Sequence, residues 1–227
     1  MYPIIESHNV WGNEFRFVIA NEQGRSWYPN EDWYQWNLFL RDHVHYGDTV
    51  IDCGAHHGHY TLSFAKQVGV DGKVIAIEAD PHNFHILCKN LQINKVTQVT
   101  AYHYITSNES HQRFGVQSEV VQNIIGDIET IRLDDIIQSP VHIIKIDVEG
   151  YEVKVMQGAQ RILAQYHPFL EIEVHLDTNG VDMRKYHNLH PEELLSILGK
   201  YHYQLIDRWG QVIQSPQLEE SCLIYCL

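Results

Sequence analysis

The segment VIDCGAHHGHYTL, Val50 to Leu62, followed by VIAIEADP, Val74 to Pro81, decides the architecture of this chain. The first piece reads as a buried strand, Thr49 to Cys53, that stops at glycines and turns into a helix starting near Gly58. Gly54 and Gly58 let the backbone turn tightly and approach a ligand with no Cβ in the way. The N–H groups at the positive end of the following helix would face that ligand. The second piece reads as another strand, Lys73 to Ile77, ending in Glu78, 24 residues after Gly54. That is near the spacing at which an acidic side chain accepts hydrogen bonds from ribose hydroxyls, so the pair describes a pocket for a ribose-bearing cofactor.

The glycine pattern arbitrates between cofactors. It is D-x-G-x-x-x-G, with Asp52, Gly54 and Gly58, and not G-x-G-x-x-G. A carboxylate at Asp52 repels a pyrophosphate and suits the ammonium of an amino-acid-bearing cofactor. S-adenosylmethionine (SAM) therefore fits better than NAD. The expected cofactor residues are Asp52, Gly54, Ala55, His56, His57, Gly58, Glu78 and Ala79, with Asp147 near the methionine part. Of the triplet His56, His57 and His59, one is expected at the cofactor and the others in solvent, because neighbouring side chains in a tight loop point apart. Glycines serving strand–helix packing alone are the plain alternative.

Outward from this core, strand and helix signals alternate, the pattern of an α/β, Rossmann-like parallel sheet covered on both faces. A helix is expected from Pro81 to about Asn94 and a third strand from Gln98 to His103. Residues 104–139 look like a polar, irregular insertion with a hairpin, beside the pocket. A fourth strand is expected over Val141–Val148, a helix over Tyr151–Leu163 and a fifth strand over Phe169–His175. A helix from His190 to Gly199 precedes an antiparallel pair, Tyr203–Asp207 and Ser221–Cys226. A single domain spans residues 1–227, with an aromatic-rich cap over 1–45 and a catalytic core over 46–227. In the cap, Trp33, Trp36 and Leu40 share a helical face. Trp27, Tyr28 and Trp33 suit either core packing or the wall of a sugar or aromatic acceptor site.

The order of elements resembles the class I SAM-dependent methyltransferases, with a seven-stranded, mostly parallel sheet whose last strand is antiparallel. At finer grain the chain resembles the FkbM-type family. The matching pieces are DCGAHHGHYTLSFA from Asp52, VIAIEADP from Val74, IRLDDII from Ile131, IIKIDVEGYEVKVMQGA from Ile143 and PFLEIEVH from Pro168. His56 and His57 stand where the family generally has asparagine and an aliphatic residue, and Ala79 replaces a common proline. The resemblance implies methyl transfer from SAM, usually to a hydroxyl oxygen.

Charge in the fourth and fifth strands is the second informative feature. A central parallel strand should be almost wholly apolar, yet Lys145, Asp147 and Glu149 alternate, and so do Glu171, Glu173 and His175. Burying charge without partners is expensive. Six ionisable groups are therefore expected to line a cleft at the carboxyl ends of the strands, where the glycine loop and Asp147 would face each other. Lys145, Asp147, Glu149 and His175 are the candidate catalytic residues, with His175 the general base because a free imidazole titrates near neutrality. Two alternatives stay open. One is an internal ion-pair lattice, such as Lys145 with Glu173, that fixes register. The other is a divalent metal on Asp147, Glu173 and His175, which is possible but not expected.

A net charge of -13 argues against a broad face for nucleic-acid backbones and favours a small-molecule or glycan acceptor. No stretch approaches a membrane span in length, and Cys53, Cys88, Cys222 and Cys226 lack C-x-x-C spacing and read as buried reduced thiols, which place the protein in the cytoplasm. A SAM-binding regulatory protein and an NAD-type oxidoreductase are the competing functions. The acceptor and the oligomeric state are not written in these residues.

Overall fold

All five residues of Thr49–Cys53 are buried, as a strand covered on both faces requires. The computed structural model describes residues 3–20, 22, 25, 37–117, 124–178, 181–182, 185, 190–207, 209–213 and 222–227. In chain order the elements are β1 (Ile4–Val10), β2 (Asn13–Ile19), α1 (Leu38–His43), β3 (Thr49–Cys53), α2 (His59–Val68), β4 (Lys73–Glu78), α3 (Pro81–Ile93) and β5 (Val99–His103). There follow β6 (Ile105–Thr106), β7 (Arg113–Gln117), β8 (Ile124–Ile131), α4 (Leu133–Ile136), β9 (Ile143–Ile146), α5 (Glu152–Gln157), α6 (Gln160–Tyr166) and β10 (Phe169–Val174). The chain closes with β11 (Asp177–Thr178), β12 (Val181–Asp182), α7 (Pro191–Lys200), β13 (Leu205–Ile206) and β14 (Cys222–Cys226). Seven strands form one sheet in the order β13-β14-β10-β9-β3-β4-β5. β14 runs antiparallel to both its neighbours, β10 and β13, while β10 pairs with β9, β3 with β4 and β4 with β5 in parallel. This is the Rossmann-like α/β sheet with an antiparallel last strand that the element order implied.

Two compact units divide the chain, residues 1–103 with 115–128 and residues 104–114 with 129–227. In the first, Pro81 opens α3 and the Asp80 carboxylate caps it, accepting the N–H of His82 at 2.7 Å and of Asn83 at 3.1 Å. An antiparallel hairpin, β1–β2, precedes the core and was not legible in the sequence. Its turn is Trp11-Gly12, both at positive φ, rather than a common Asn-Gly pair. Its inner residues Val10, Phe15, Phe17 and Ile19 pack with Leu62 of α2. In the expected N-terminal cap, Leu40 is fully buried, while Trp27, Tyr28, Trp33, Tyr34 and Trp36 lie outside the described residues, as does Ser221.

In the second unit the expected helix over Tyr151–Leu163 is two helices, α5 and α6, broken at Gly158 and Ala159. The Gly158 carbonyl accepts the N–H of Asp134, and the Asp134 carboxylate in turn caps α6 by accepting the N–H groups of Arg161 and Ile162. A Cβ at Gly158 would stand 2.0 Å from the carbonyl oxygen of Ser107. Backbone cannot yield as a side chain can, so Gly158→Ala is expected to cost about 3 kcal/mol or more in denaturant unfolding. The segment expected to be irregular carries a sheet in the order β6-β8-β7, with β6 parallel to β8, and the short α4. None of the four cysteines is in a disulfide; Cys53 and Cys226 are buried, but Cys222 is half-buried and Cys88 is exposed on α3, contrary to expectation. Among the described residues no helix is long and apolar enough to cross a membrane.

Candidate active site

In the first unit the cofactor loop is held to β4 by backbone bonds, with the N–H groups of Gly54 and Ala55 both donating to the Ile77 carbonyl. Asp52 is fully buried and accepts the Thr61 hydroxyl at 2.6 Å. Glu78, 7% exposed, accepts the His56 N–H on one carboxylate oxygen at 2.7 Å and the Asp80 N–H on the other at 2.8 Å. It thus fastens the loop to the start of α3. Gly58 has φ +90°, a conformation that side-chain-bearing residues rarely adopt, and a Cβ there would also push on the Leu87 Cδ1 at 2.7 Å, so glycine suits the position. No side chain caps the start of α2.

The histidines of the loop depart from expectation. The rings of His56 and His57 stack at 4.0 Å and 21° instead of diverging, because His56 takes a left-handed φ of +49°. Neither His57 nor His59 faces solvent. His57 is fully buried with Nε2 3.1 Å from the Asn83 Oδ1, and His59 stacks on Phe17 at 4.6 Å. Burial, seconded by the nearby His56 and His82, pushes the His57 imidazole down to about 2, so it is neutral at every working pH. Ala79 is half-buried, and its carbonyl lies 3.1 Å from the His103 Nε2.

These residues fit SAM. Glu78 closes β4 beside the glycine loop, and a carboxylate with about four acceptor positions suits ribose hydroxyls while its two oxygens hold the backbone N–H groups of His56 and Asp80. The uncapped start of α2 suits a carboxylate.

In the second unit, β9 stops at Ile146, so Asp147 and Glu149 do not continue a strand face as the alternation suggested. Glu149 at φ +51° and Gly150 at φ +99° turn the chain instead. The turn nevertheless brings four of the expected residues together. Lys145, 3% exposed, donates to Asp147 at 3.2 Å, and its charge also acts on Glu173. His175, one residue beyond β10, has Nε2 3.6, 3.7 and 3.8 Å from Glu173, Glu149 and Asp147. Its Nδ1 lies 2.9 Å from Glu152. Glu171 is buried opposite Lys145 in the register of β10 and β9.

Burial opposes a charge on His175, but the Glu152 hydrogen bond and the charges of Glu149, Asp147 and Glu152 together outweigh it, and the imidazole is pushed up to about 9. Partial burial and the Asp147 and Glu149 charges raise the Glu173 carboxyl. Donor atoms of Asp147, Glu149 and His175 lie within 4.8 Å of one another, near enough to gather around a divalent cation, with Glu149 rather than Glu173 as the third member. The Lys145 ammonium and the protonated His175 already supply countercharge there.

Sequence reasoning missed Glu152. An acid in the first turn of a helix reads as a match to the helix dipole, which hides a long-range contact. Its 2% exposure, with one oxygen shared between the Gly150 N–H and His175, marks it as part of the group.

A family model described as the methyltransferase FkbM domain matches residues 52–205. The methyltransferase FkbM structure from Methylobacillus flagellatus KT aligns at 23% identity and TM-score 0.51, over 78% of this chain and 43% of that one. The chain thus spans less than half of that relative. A protein described as an rRNA-methylase from Clostridium thermocellum aligns at 16% identity and TM-score 0.55, over 87% and 95% of the two chains. Aeropyrum pernix fibrillarin, with natively bound SAM, aligns at 14% identity and TM-score 0.52, over 98% and 82%. Likeness at these identities establishes the fold. No curated protein matches the sequence.

Proposed function

Because the chain belongs to the FkbM-domain methyltransferases, whose methyl donor is SAM, we propose that it methylates a hydroxyl oxygen on a small molecule, glycan or natural product. The observation that carries the oxygen acceptor is the buried His175 held at Nδ1 by Glu152, with Nε2 turned to half-exposed carboxylates. An alcohol must lose its proton as it is alkylated, and an oriented imidazole is suited to receive it.

Bound SAM supplies an electrophilic methyl group. Glu78 holds ribose hydroxyls, and the start of α2 and Asp52 hold the amino-acid end. Asp147 stands near the acceptor hydroxyl beside His175, its carboxylate held by Lys145. Glu149 and Glu173, each about half exposed, accept hydrogen bonds from other hydroxyls of the acceptor. Their charge, like the net charge of -13, disfavours a polyanionic acceptor. His175 receives the proton at Nε2. Alignment of the acceptor oxygen supplies much of the acceleration. A reducing cytoplasm suits the thiol form of Cys53, Cys88, Cys222 and Cys226.

Calorimetric titration with SAM, S-adenosylhomocysteine and NAD, with and without magnesium, followed by an acceptor panel, tests this. Binding of both sulfur nucleotides, no NAD heat and acceptor-dependent release of S-adenosylhomocysteine are expected. Binding without turnover on any polyol would favour a regulatory SAM-binding protein. Magnesium-dependent turnover would move the proton-lowering role to a cation at Asp147, Glu149 and His175.

A further inference from the structure

We propose that Asn90 is a positioning residue for the cofactor loop, tying the N-terminal hairpin to the backbone of His57. The inference rests on the loop being the SAM site. Asn90, on α3, is fully buried and spends both ends of its amide. Its Oδ1 accepts the Val18 N–H at 2.7 Å, and its Nδ2 donates to the His57 carbonyl at 2.8 Å.

At the residue that caps the end of α3, Asn94 repeats the first half of this arrangement. Its Oδ1 accepts the Arg16 N–H at 2.9 Å, and its Nδ2 donates to the Arg16 carbonyl and to the Asn90 carbonyl, each at 2.7 Å. Residues four apart on a helix rise about 6 Å, and residues two apart on a strand about 6.7 Å. Asn90 and Asn94 therefore meet Val18 and Arg16 in step, and the helix offers β2 the bonds a neighbouring strand would give. Only Asn90 reaches onward to the loop.

The bond to His57 falls at the position that matters for cofactor geometry. His57 lies between His56, whose N–H is fixed on Glu78, and Gly58, whose φ of +90° aims the start of α2. Holding the His57 carbonyl sets the peptide plane that leads into that turn. The hairpin grips the other side as well, with Trp11 packed 5.8 Å from the Tyr60 and Phe64 rings and Phe17 stacked on His59. The hairpin is thus part of the device that shapes the cofactor loop, and Asn90 is the joint.

Asn90→Ala and Asn94→Ala separate this from general docking of the hairpin. Asn90→Ala is expected to raise the Kd for S-adenosylhomocysteine and the KM for SAM about tenfold, with kcat at saturating SAM unchanged. Asn94→Ala, which loses the hairpin bonds and its own bond to the Asn90 carbonyl but leaves the bond from Asn90 to His57 in place, should stay within about twofold of wild type in both. Wild-type affinity in Asn90→Ala overturns the proposal. So does an equal affinity loss in Asn94→Ala, which would assign the effect to hairpin docking. Should Asn90→Ala not fold, Asn90→Asp keeps the acceptor for Val18 and loses the donor for His57, and the same tenfold loss is expected of it. A wild-type protein that fails to bind S-adenosylhomocysteine at all would refute the cofactor site itself rather than the role of Asn90.

Discussion

Glu78→Ala lowers the affinity for S-adenosylhomocysteine by at least about 100-fold, the expected loss when a buried carboxylate with two backbone bonds and two ribose bonds is removed. Its oxygens accept the N–H groups of His56 and Asp80 at 2.7 and 2.8 Å, so truncation strips the loop and the start of α3 of a shared acceptor. Hydrogen bonds to a charged group contribute about 1.5–3 kcal/mol each, and losing two of them already reaches the stated factor. Glu78→Gln retains one acceptor oxygen and should lose affinity by less. Calorimetry on the folded variants reads both, and an Ala variant that binds as wild type would take Glu78 out of the cofactor site.

His175→Ala is expected to slow turnover about 10²- to 10³-fold while leaving affinity for S-adenosylhomocysteine within about twofold. The pH profile gives the sharper test. The base must be neutral to receive a proton, and Glu152, Glu149, Asp147 and Glu173, opposed by Lys145, surround an imidazole that titrates at about 9. At pH 7 roughly one molecule in a hundred carries the neutral ring, so turnover should rise about tenfold per pH unit and level off above 9. His175→Ala should lose that limb.

Stability runs the other way. The folded imidazole titrates above its ordinary 6.5, so its contribution, on the order of 3 kcal/mol, is complete below about 6.5 and is lost as pH rises through about 9. Thermal melting temperature should therefore fall over the interval in which activity climbs. A wild-type profile flat from pH 7 to 9 would remove His175 from the base role.

Most of the sheet was legible because its signals are local. The apolar run over Thr49–Cys53, the glycines after it and the acid closing Lys73–Glu78 each act within a few residues of themselves. Pro81 likewise declares the start of α3. Alternating charge singled out Lys145, Asp147, Glu149 and His175 as candidates, which the fold brings together, but the alternation misplaced two of them, because β9 ends at Ile146 and a turn with positive φ takes over. The hairpin stayed hidden because its partner surface, Asn90 and Asn94, lies more than 70 residues away. The break at Gly158 stayed hidden too, since it depends on the carbonyl of Ser107.

By itself the sequence determined the α/β class, the glycine loop, its acidic partner Glu78 and the family, because strand and helix periodicity and turn chemistry are written in neighbouring residues. Only the tertiary structure decided that His57 is buried and neutral, that Glu152 grips His175, and that Asn90 joins the hairpin to the loop. Burial and hydrogen-bond partnership across 23 to 72 residues set these properties, and no local pattern encodes which distant groups will surround a side chain.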